Sequence, residues 1–357
     1  MPNYKPDHTD FVGYRGFASL DGVLLLASSG SATMNAAAIK SSANWGAGSW
    51  NAAETVAWSA DMPEIAVSIE CDVTTKSVGK IEKFSSRYNL VDGATPIVIR
   101  PSNSWGFSGA GYCESLKLAG AEKSNLTASI EAKAFFTNAQ SVQNFGGRGV
   151  AAGTSDRGIG NERGNDEEIT SMPYNALYPY WGQSIYLGMP YGDINNPQPH
   201  PKPGAEISRT NVALSRSPVR GVVDWNATLN HNIQFKKTCS YNSSLQATGL
   251  WPLAPDYVAL GALTWQCDIT FVGTLDEYDF NYFYHTRSFK AKYTSPATEE
   301  AEVTWEHAVI IPAMTCESYP LANGSGNDIV TANFSYTAVG NSTDPPIYLP
   351  AWLVTAP

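Results

Sequence analysis

The sequence predicts a mainly β protein: two homologous β-sandwich or barrel domains, each with one short helix, plus long loops and extended terminal arms. Three observations predict it. The chain is rich in Tyr, Trp, Thr, Val and Ser, carries 30 Gly and 22 Pro, and has few long helix-forming runs. Its apolar residues alternate with polar ones at period two over several stretches, the signature of a half-buried strand. And CESLKLAG at residues 113–120 returns as CESYPLANG from Cys316, in a chain with only 5 cysteines.

The bulk properties bound the rest. At 357 residues the chain fits one large domain or two ordinary ones, and 43% apolar against 16% charged residues suits packed cores rather than disorder. The formal net charge of −10, without a Lys/Arg cluster, excludes a stable grip on nucleic-acid phosphates. No stretch approaches the roughly 18 apolar residues of a membrane span. The run at residues 23–27, preceded by Asp21, is of strand length and too short for a signal peptide, so folding in the cytoplasm is expected. Five scattered cysteines do not make a disulfide-dense secreted scaffold.

In chain order, residues 1–16 read as an N-terminal arm and residues 17–143 as the first unit. Within it, IAVSIECDVTT (65–75) is a strand with Val67, Ile69, Cys71 and Val73 on one face. SVGKIEKFSSRY places Val78, Ile81, Phe84 and Tyr88 on one helical stripe. An extended run at 96–100 leads into the Cys113 strand, and Leu126, Ala128, Ile130, Ala132 and Ala134 then alternate with polar residues.

Residues 144–204 form a long Gly/Pro/aromatic-rich connector, of a length that is usually functional or flexible. The second unit, 205–340, repeats the pattern. GALTWQCDITF (261–271) resembles 65–75, with Leu263, Trp265, Cys267 and Ile269 in the places of Val67, Ile69, Cys71 and Val73. TLDEYDFNYFYH (274–285) is a second helical candidate, with Leu275, Tyr278 and Tyr282 on its stripe and Thr274 and Glu277 as a capping box. The run 302–311 leads into the Cys316 strand, and Val330, Ala332, Phe334, Tyr336 and Ala338 match Leu126 to Ala134 when moved back by 204 residues. Residues 341–357 make an extended C-terminal arm whose prolines forbid a helix and whose apolar side chains need a surface to dock on.

Signals for chemistry are sparse. His8, His200, His231, His285 and His307 show no metal-ligand spacing, and neither a nucleophile elbow nor a phosphate-binding loop occurs. His307 beside Glu306 lacks a nucleophile partner, and GIGNERG at 158–164 lacks dinucleotide spacing. Glu70 and Asp72 flank Cys71 on the outward face of its strand, where carboxylates ordinarily serve solubility; the acidic run 166–168 reads as a solvated loop. No catalytic, cofactor-binding or metal-binding residue is therefore assigned, and a non-enzymatic protein is expected. Cys71, Cys113, Cys267 and Cys316 read as buried thiols or as two disulfides, one within each unit, with Cys239 unmatched. Tyr178, Tyr180, Trp181, Tyr186 and Tyr191 form an aromatic run of the kind that stacks on sugars.

From Glu302 to Ser342, more loosely from Leu260 and weakly over 64–136, the chain resembles a bacteriophage tail tube domain. A strand ending in an apolar–Pro pair, a Gly-containing turn and a closing V-T-x-x-F-x-Y strand carry the resemblance; the 144–204 segment departs from the minimal domain. The resemblance implies a structural virion protein, a tail tube subunit assembled in the host cytoplasm. Two tube-like domains per chain imply pseudo-hexameric rings of three copies, stacked into a conduit for DNA ejection. Implied partners are further copies of the chain, other tail proteins and DNA in non-specific transit past an acidic wall, with no cofactor and no membrane. Tyr348, Trp352 and Leu353 of the C-terminal arm become candidates for ring-to-ring contact. Two other readings fit the residues less closely: a capsid protein with two jelly-roll-like domains, and a secreted carbohydrate-binding or adhesive β-sandwich.

Overall fold

A computed structural model of the chain describes residues 17–35, 38–41, 57–60, 63–85, 93–100, 106–137, 145, 176–189, 213–214, 220–237, 254–272, 287–295, 306–318, 321–322 and 331–338. The N-terminal half contributes β1 (Phe17–Leu20), β2 (Val23–Asn35), β3 (Ala38–Ser41), β4 (Ala57–Ala60), β5 (Glu64–Asp72), α1 (Val78–Ser85), β6 (Thr95–Arg100), β7 (Phe107–Ala121) and β8 (Thr127–Phe135). The C-terminal half follows with β9 (Gln183–Met189), β10 (Ala213–Leu214), β11 (Val222–Asn230), β12 (Ile233–Lys236), β13 (Tyr257–Leu260), β14 (Thr264–Val272), β15 (Arg287–Thr294), β16 (Glu306–Ser318), β17 (Leu321–Ala322) and β18 (Thr331–Ala338). The protein is mainly β, as composition predicts.

All described strand pairs are antiparallel. Six strands close on themselves in the order β1-β2-β5-β8-β7-β6, giving a barrel without side edges over the paired residues. The β1–β2 hairpin turns on Asp21 and Gly22, both at positive φ (49° and 76°), the two-residue turn whose twist suits flanking strands. Inward positions are apolar and buried: Leu20 and Leu25; Ile65, Val67 and Ile69 on β5; Ala128, Ile130 and Ala132 on β8. Helix α1 forms where the sequence predicts it, and Val78, Ile81 and Phe84 of its stripe are buried. Just before it, the Thr74 N–H donates to Ser77 Oγ and the Ser77 N–H to Thr74 Oγ1 (2.9 and 3.1 Å), satisfying two donors beside the first turn.

The wall does not end at the barrel. β7 is 15 residues long; its first part pairs with β6, while Ser115–Ala121 pairs on the same edge with β11. From there the sheet runs on as β11-β14-β18-β16-β15-β9-β10, with β17 beside β18. One hydrophobic core spans both halves and joins Leu116 and Phe84 to Trp225, Trp265, Phe289 and Phe334. Two barrels are thus not observed among the described residues: the large sheet makes one closed barrel and an open extension of its wall, and β3–β4 and β12–β13 form separate two-stranded sheets. The physical reason is that β11 takes up an edge of β7 instead of closing on its own half.

The same strand order occurs in each half: β2-β5-β8-β7-β6 in the first, β11-β14-β18-β16-β15 in the second. The Cys-Glu-Ser sites are alike in detail. Cys113 lies opposite Ala132 and Ser115 opposite Glu131, so Glu114 is bulged out; Cys316 lies opposite Tyr336 and Ser318 opposite Ser335, so Glu317 is bulged out. Beyond the bulge, Leu118 faces Ala128 and Leu321 faces Ala332. A second pair of irregularities also coincides, between Ala27 and Ser29 on β2 and between Val222 and Asp224 on β11.

Two sequence expectations need correction. Cys71 lies opposite Ala128, but Cys267 lies opposite Tyr336, the residue matched to Ala132. Cys267 therefore takes the place of Val67, and Phe271 that of Cys71, a slip of four residues against the sequence match. An even slip keeps every apolar residue on the core face, so period-two patterning does not register it. The run 302–311 is also not the counterpart of 96–100: from Glu306 it is the first half of β16 itself, and the strand beside it is β15, which lacks a sequence match in the first half. The helical candidate at 274–285, both terminal arms and the outer parts of the 144–204 connector lie outside the described residues.

Candidate functional site

The most elaborated polar constellation is the seam between the halves. Seven residue pairs, from Asp224 opposite Ala121 to Asn230 opposite Ser115, hold β11 against β7. The Glu114 bulge anchors one end: its carbonyl accepts the His231 N–H (2.8 Å), and its carboxylate meets the Lys133 ammonium at 3.0 Å. Lys133 also donates to the Ile233 carbonyl at 2.8 Å. At the other end the Glu122 N–H donates to the Val223 carbonyl (2.9 Å). A β-bulge aims an extra residue away from the ladder, and here that residue grips the second half.

One pair in from that end Trp225 lies opposite Gly120, and its indole N–H donates to Gln183 Oε1 at 2.9 Å. A Cβ on Gly120 would stand 1.9 Å from Gln183 Oε1 and 2.6 Å from Trp225 Nε1, so no larger residue fits without moving that pair. Beneath the seam, α1 bonds to the second half through two buried polar contacts. The Tyr293 hydroxyl donates to Glu82 Oε1 at 2.6 Å, and His231 Nε2 lies 2.8 Å from the Ser85 carbonyl oxygen. Glu82 is 1% exposed; a carboxylate at such a site stays only where it is hydrogen-bonded.

Part of the connector fastens the seam from outside. Thr75 donates to the Ala176 carbonyl, Leu126 to that of Tyr178, and the Tyr180 N–H to that of Ser124 (2.8, 2.8 and 3.1 Å). The Tyr180 hydroxyl donates to the Val222 carbonyl. The chain then enters β9 and pairs with β15. Residues 176–189 thus form a strap bound to both halves, where the sequence reading has only a connector. The aromatic platform is broken up accordingly: Tyr178 is fully buried against Tyr293, Tyr180 is committed to Val222, and Trp181 stands out at 74% exposure, while Tyr191 lies outside the described residues.

Cys71, Cys113 and Cys267 are free thiols. Cys71 and Cys113 are buried on β5 and β7 with β8 between them, and Cys267 is buried on β14 with β18 between it and the Cys316 position. Two strand spacings are about 9–10 Å, beyond the roughly 7 Å over which Cα atoms are bridged by a disulfide. The disulfide alternative therefore does not fit the register. Burial, reinforced by Asp72, pushes the Cys71 thiol up to about 12. Burial also raises Cys113, with Glu114 and Glu131 adding to it, and Cys267, with Asp268 adding to it. Such thiols are inert hydrophobes rather than nucleophiles.

Of the other sequence candidates, Glu70 is exposed and accepts from Ser29 Oγ at 3.2 Å, a strand-surface role. His231 is buried at the seam, and His307 lies on β16. His8, His200, His285, Cys239, the acidic run 166–168 and the arm residues Tyr348, Trp352 and Leu353 lie outside the described residues. Among the described residues no group of three or more His, Cys, Asp or Glu side chains is placed to hold a metal, and no helix is long and apolar enough to cross a membrane. The seam was not legible beforehand. Its one sequence trace is the Glu of the repeated Cys-Glu-Ser, and a bulge is invisible without a partner strand. Compared with known proteins, the sequence matches no family model and no curated protein.

Proposed function

We propose that this chain is a structural virion protein, a tail tube subunit whose two halves are copies of one ancestral unit and which assembles into stacked, pseudo-hexameric rings of three chains that conduct DNA. One observation carries the reading: both halves follow the same strand order, with two bulges at corresponding registers, and they are joined edge to edge by β7 and β11. Such a joint is the type of contact that rings of β units use, because it extends a sheet through main-chain hydrogen bonds without a dedicated pocket. The net charge of −10 supports a conduit that lets phosphates pass instead of retaining them. The location is then the virion tail after assembly in the host cytoplasm, and the partners are other copies, other tail proteins and transiting DNA. The role is architectural and needs neither catalysis nor a cofactor.

Negative-stain microscopy of purified protein at high concentration, paired with light scattering, tests this. Rings or hollow tubes with three-fold chain stoichiometry are expected. A protein that stays monomeric at every concentration, with neither form on the grid, overturns it.

A further inference from the structure

The seam has a counterpart on the same molecule that none of the described residues fills. β11 pairs with β14 on one edge and with β7 on the other. β2, which holds the corresponding place beside β5, pairs with β1 only through Val23–Leu25; past that point its second edge has no partner among the described residues. Registers fix the correspondence. Ser29 and Asn35 lie opposite Glu70 and Glu64 in the same relation to the β2 irregularity as Asp224 and Asn230 to that of β11, opposite Thr270 and Thr264.

The burial of the two strands differs accordingly. Trp225, Ala227 and Leu229 are at most 1% exposed, whereas Gly30 is exposed, Ala32 half-buried and Met34 39% exposed. A row of inward-phased positions left partly wet on an open strand edge is a template for another strand. The complementary element is present too. In β7 the segment that fills the seam begins at Ser115, directly after the Glu114 bulge; in the second half the same position after the Glu317 bulge is Ser318, followed by β17.

We propose that the open edge of β2 receives the β16–β17 segment of a second copy of this chain, antiparallel and in the register of the internal seam. Asn35 then lies opposite Ser318, Ala32 opposite Leu321 and Ser31 opposite Ala322, as Asn230, Ala227 and Asn226 lie opposite Ser115, Leu118 and Ala119 within the chain. Donor and acceptor surfaces differ, so the contact is heterologous and propagates head to tail, closing to a ring where the rotation allows. The inference rests on the ring reading for its partner, but it makes a separate claim about which strands meet and in what register.

Cysteine cross-linking of the full chain distinguishes the two. Within the seam the even-numbered residues of β7 exchange hydrogen bonds with β11, as the Glu122 and Glu114 contacts show, so Ala119 and Asn226 form a non-hydrogen-bonded pair. Side chains come closest at such pairs, within disulfide reach. S31C/A322C protein, oxidised under non-denaturing conditions, is expected to give a ladder of disulfide-linked multimers on non-reducing gels. Wild type, each single variant and the slipped pair T33C/A322C should give at least tenfold less. If rings form on the grid but S31C/A322C links no better than these controls, the register is overturned and the ring reading stands. If the protein is monomeric and does not link, both fall. The competing occupant is the chain's own N-terminal segment continuing β1, which would bring Val12 opposite Ser31. Efficient intramolecular linkage in V12C/S31C protein would overturn the proposal.

Discussion

The two halves use the same strand order and reach different outcomes. In the first, β1 lies between β6 and β2 and closes the barrel. In the second, β9 takes the place beside β15, but β11 is claimed by β7, and the sheet stays open among the described residues. The six barrel strands of the closed half pair in a ring among themselves. The open half borrows α1 and the edge of β7 from the other, and the 176–189 strap ties the two together. The difference teaches that the strand at the margin of a sheet, not its core, decides whether the sheet closes or associates.

That comparison is breakable at the seam. The largest effect is expected from Trp225→Ala, which removes a fully buried indole between the halves and leaves Gln183 Oε1 without its donor. Loss of about 3–5 kcal/mol is expected in urea unfolding, with the C-terminal half losing structure first by hydrogen exchange. A cost confined below about 1 kcal/mol would mean that the open half stands without the barrel. Next is Tyr293→Phe, which deletes the buried hydroxyl donating to Glu82 across the halves. About 1.5–3 kcal/mol is expected for a bond to a charged group, read as a shift of the urea midpoint, whereas Tyr257→Phe on an exposed residue should leave the midpoint in place. Gly120→Ala should cost about 1–3 kcal/mol by driving Gln183 off Trp225, with a changed indole fluorescence as its spectroscopic mark.

Smaller effects sharpen the contrast. In native protein at pH 8, iodoacetamide should leave Cys71, Cys113 and Cys267 unmodified and alkylate all three after unfolding, as peptide mass mapping would show. The same thiols make stability fall at high pH. Their folded pKa values lie above the ordinary 9.0, so above that pH the unfolded chain loses thiol protons that the folded chain keeps; for Cys71 the loss continues until about 12. Urea midpoints measured between pH 8 and 10 should drop, and Cys71→Ser should shift that drop only slightly among three such groups. Trp181→Ala, at 74% exposure, should stay within about 0.5 kcal/mol of wild type.

Much of the fold was legible because it rests on short-range regularities. Alternation located β5, β8, β14 and β18, and the stripe Val78, Ile81, Phe84 located α1. The repeated Cys-Glu-Ser pointed to two sites that share a bulge. The place of Cys267 was misread because its strand tolerates an even slip. The seam escaped because its members, Glu114, Gly120, Gln183, Trp225 and His231, are scattered over more than a hundred positions and share no local pattern. The aromatic run offered as a sugar platform contained a core residue, Tyr178, since exposure is not encoded in residue type.

The sequence alone determined the alternating strands β5, β8, β14 and β18, their inward faces, the first helix and the acidic, sparsely charged character, because each follows from side-chain periodicity and composition over a few neighbouring residues. Tertiary structure alone decided which edge each strand found. Main-chain hydrogen-bonding groups are nearly the same at every residue, so the choice of β7 for β11 came from packing between segments distant in the chain.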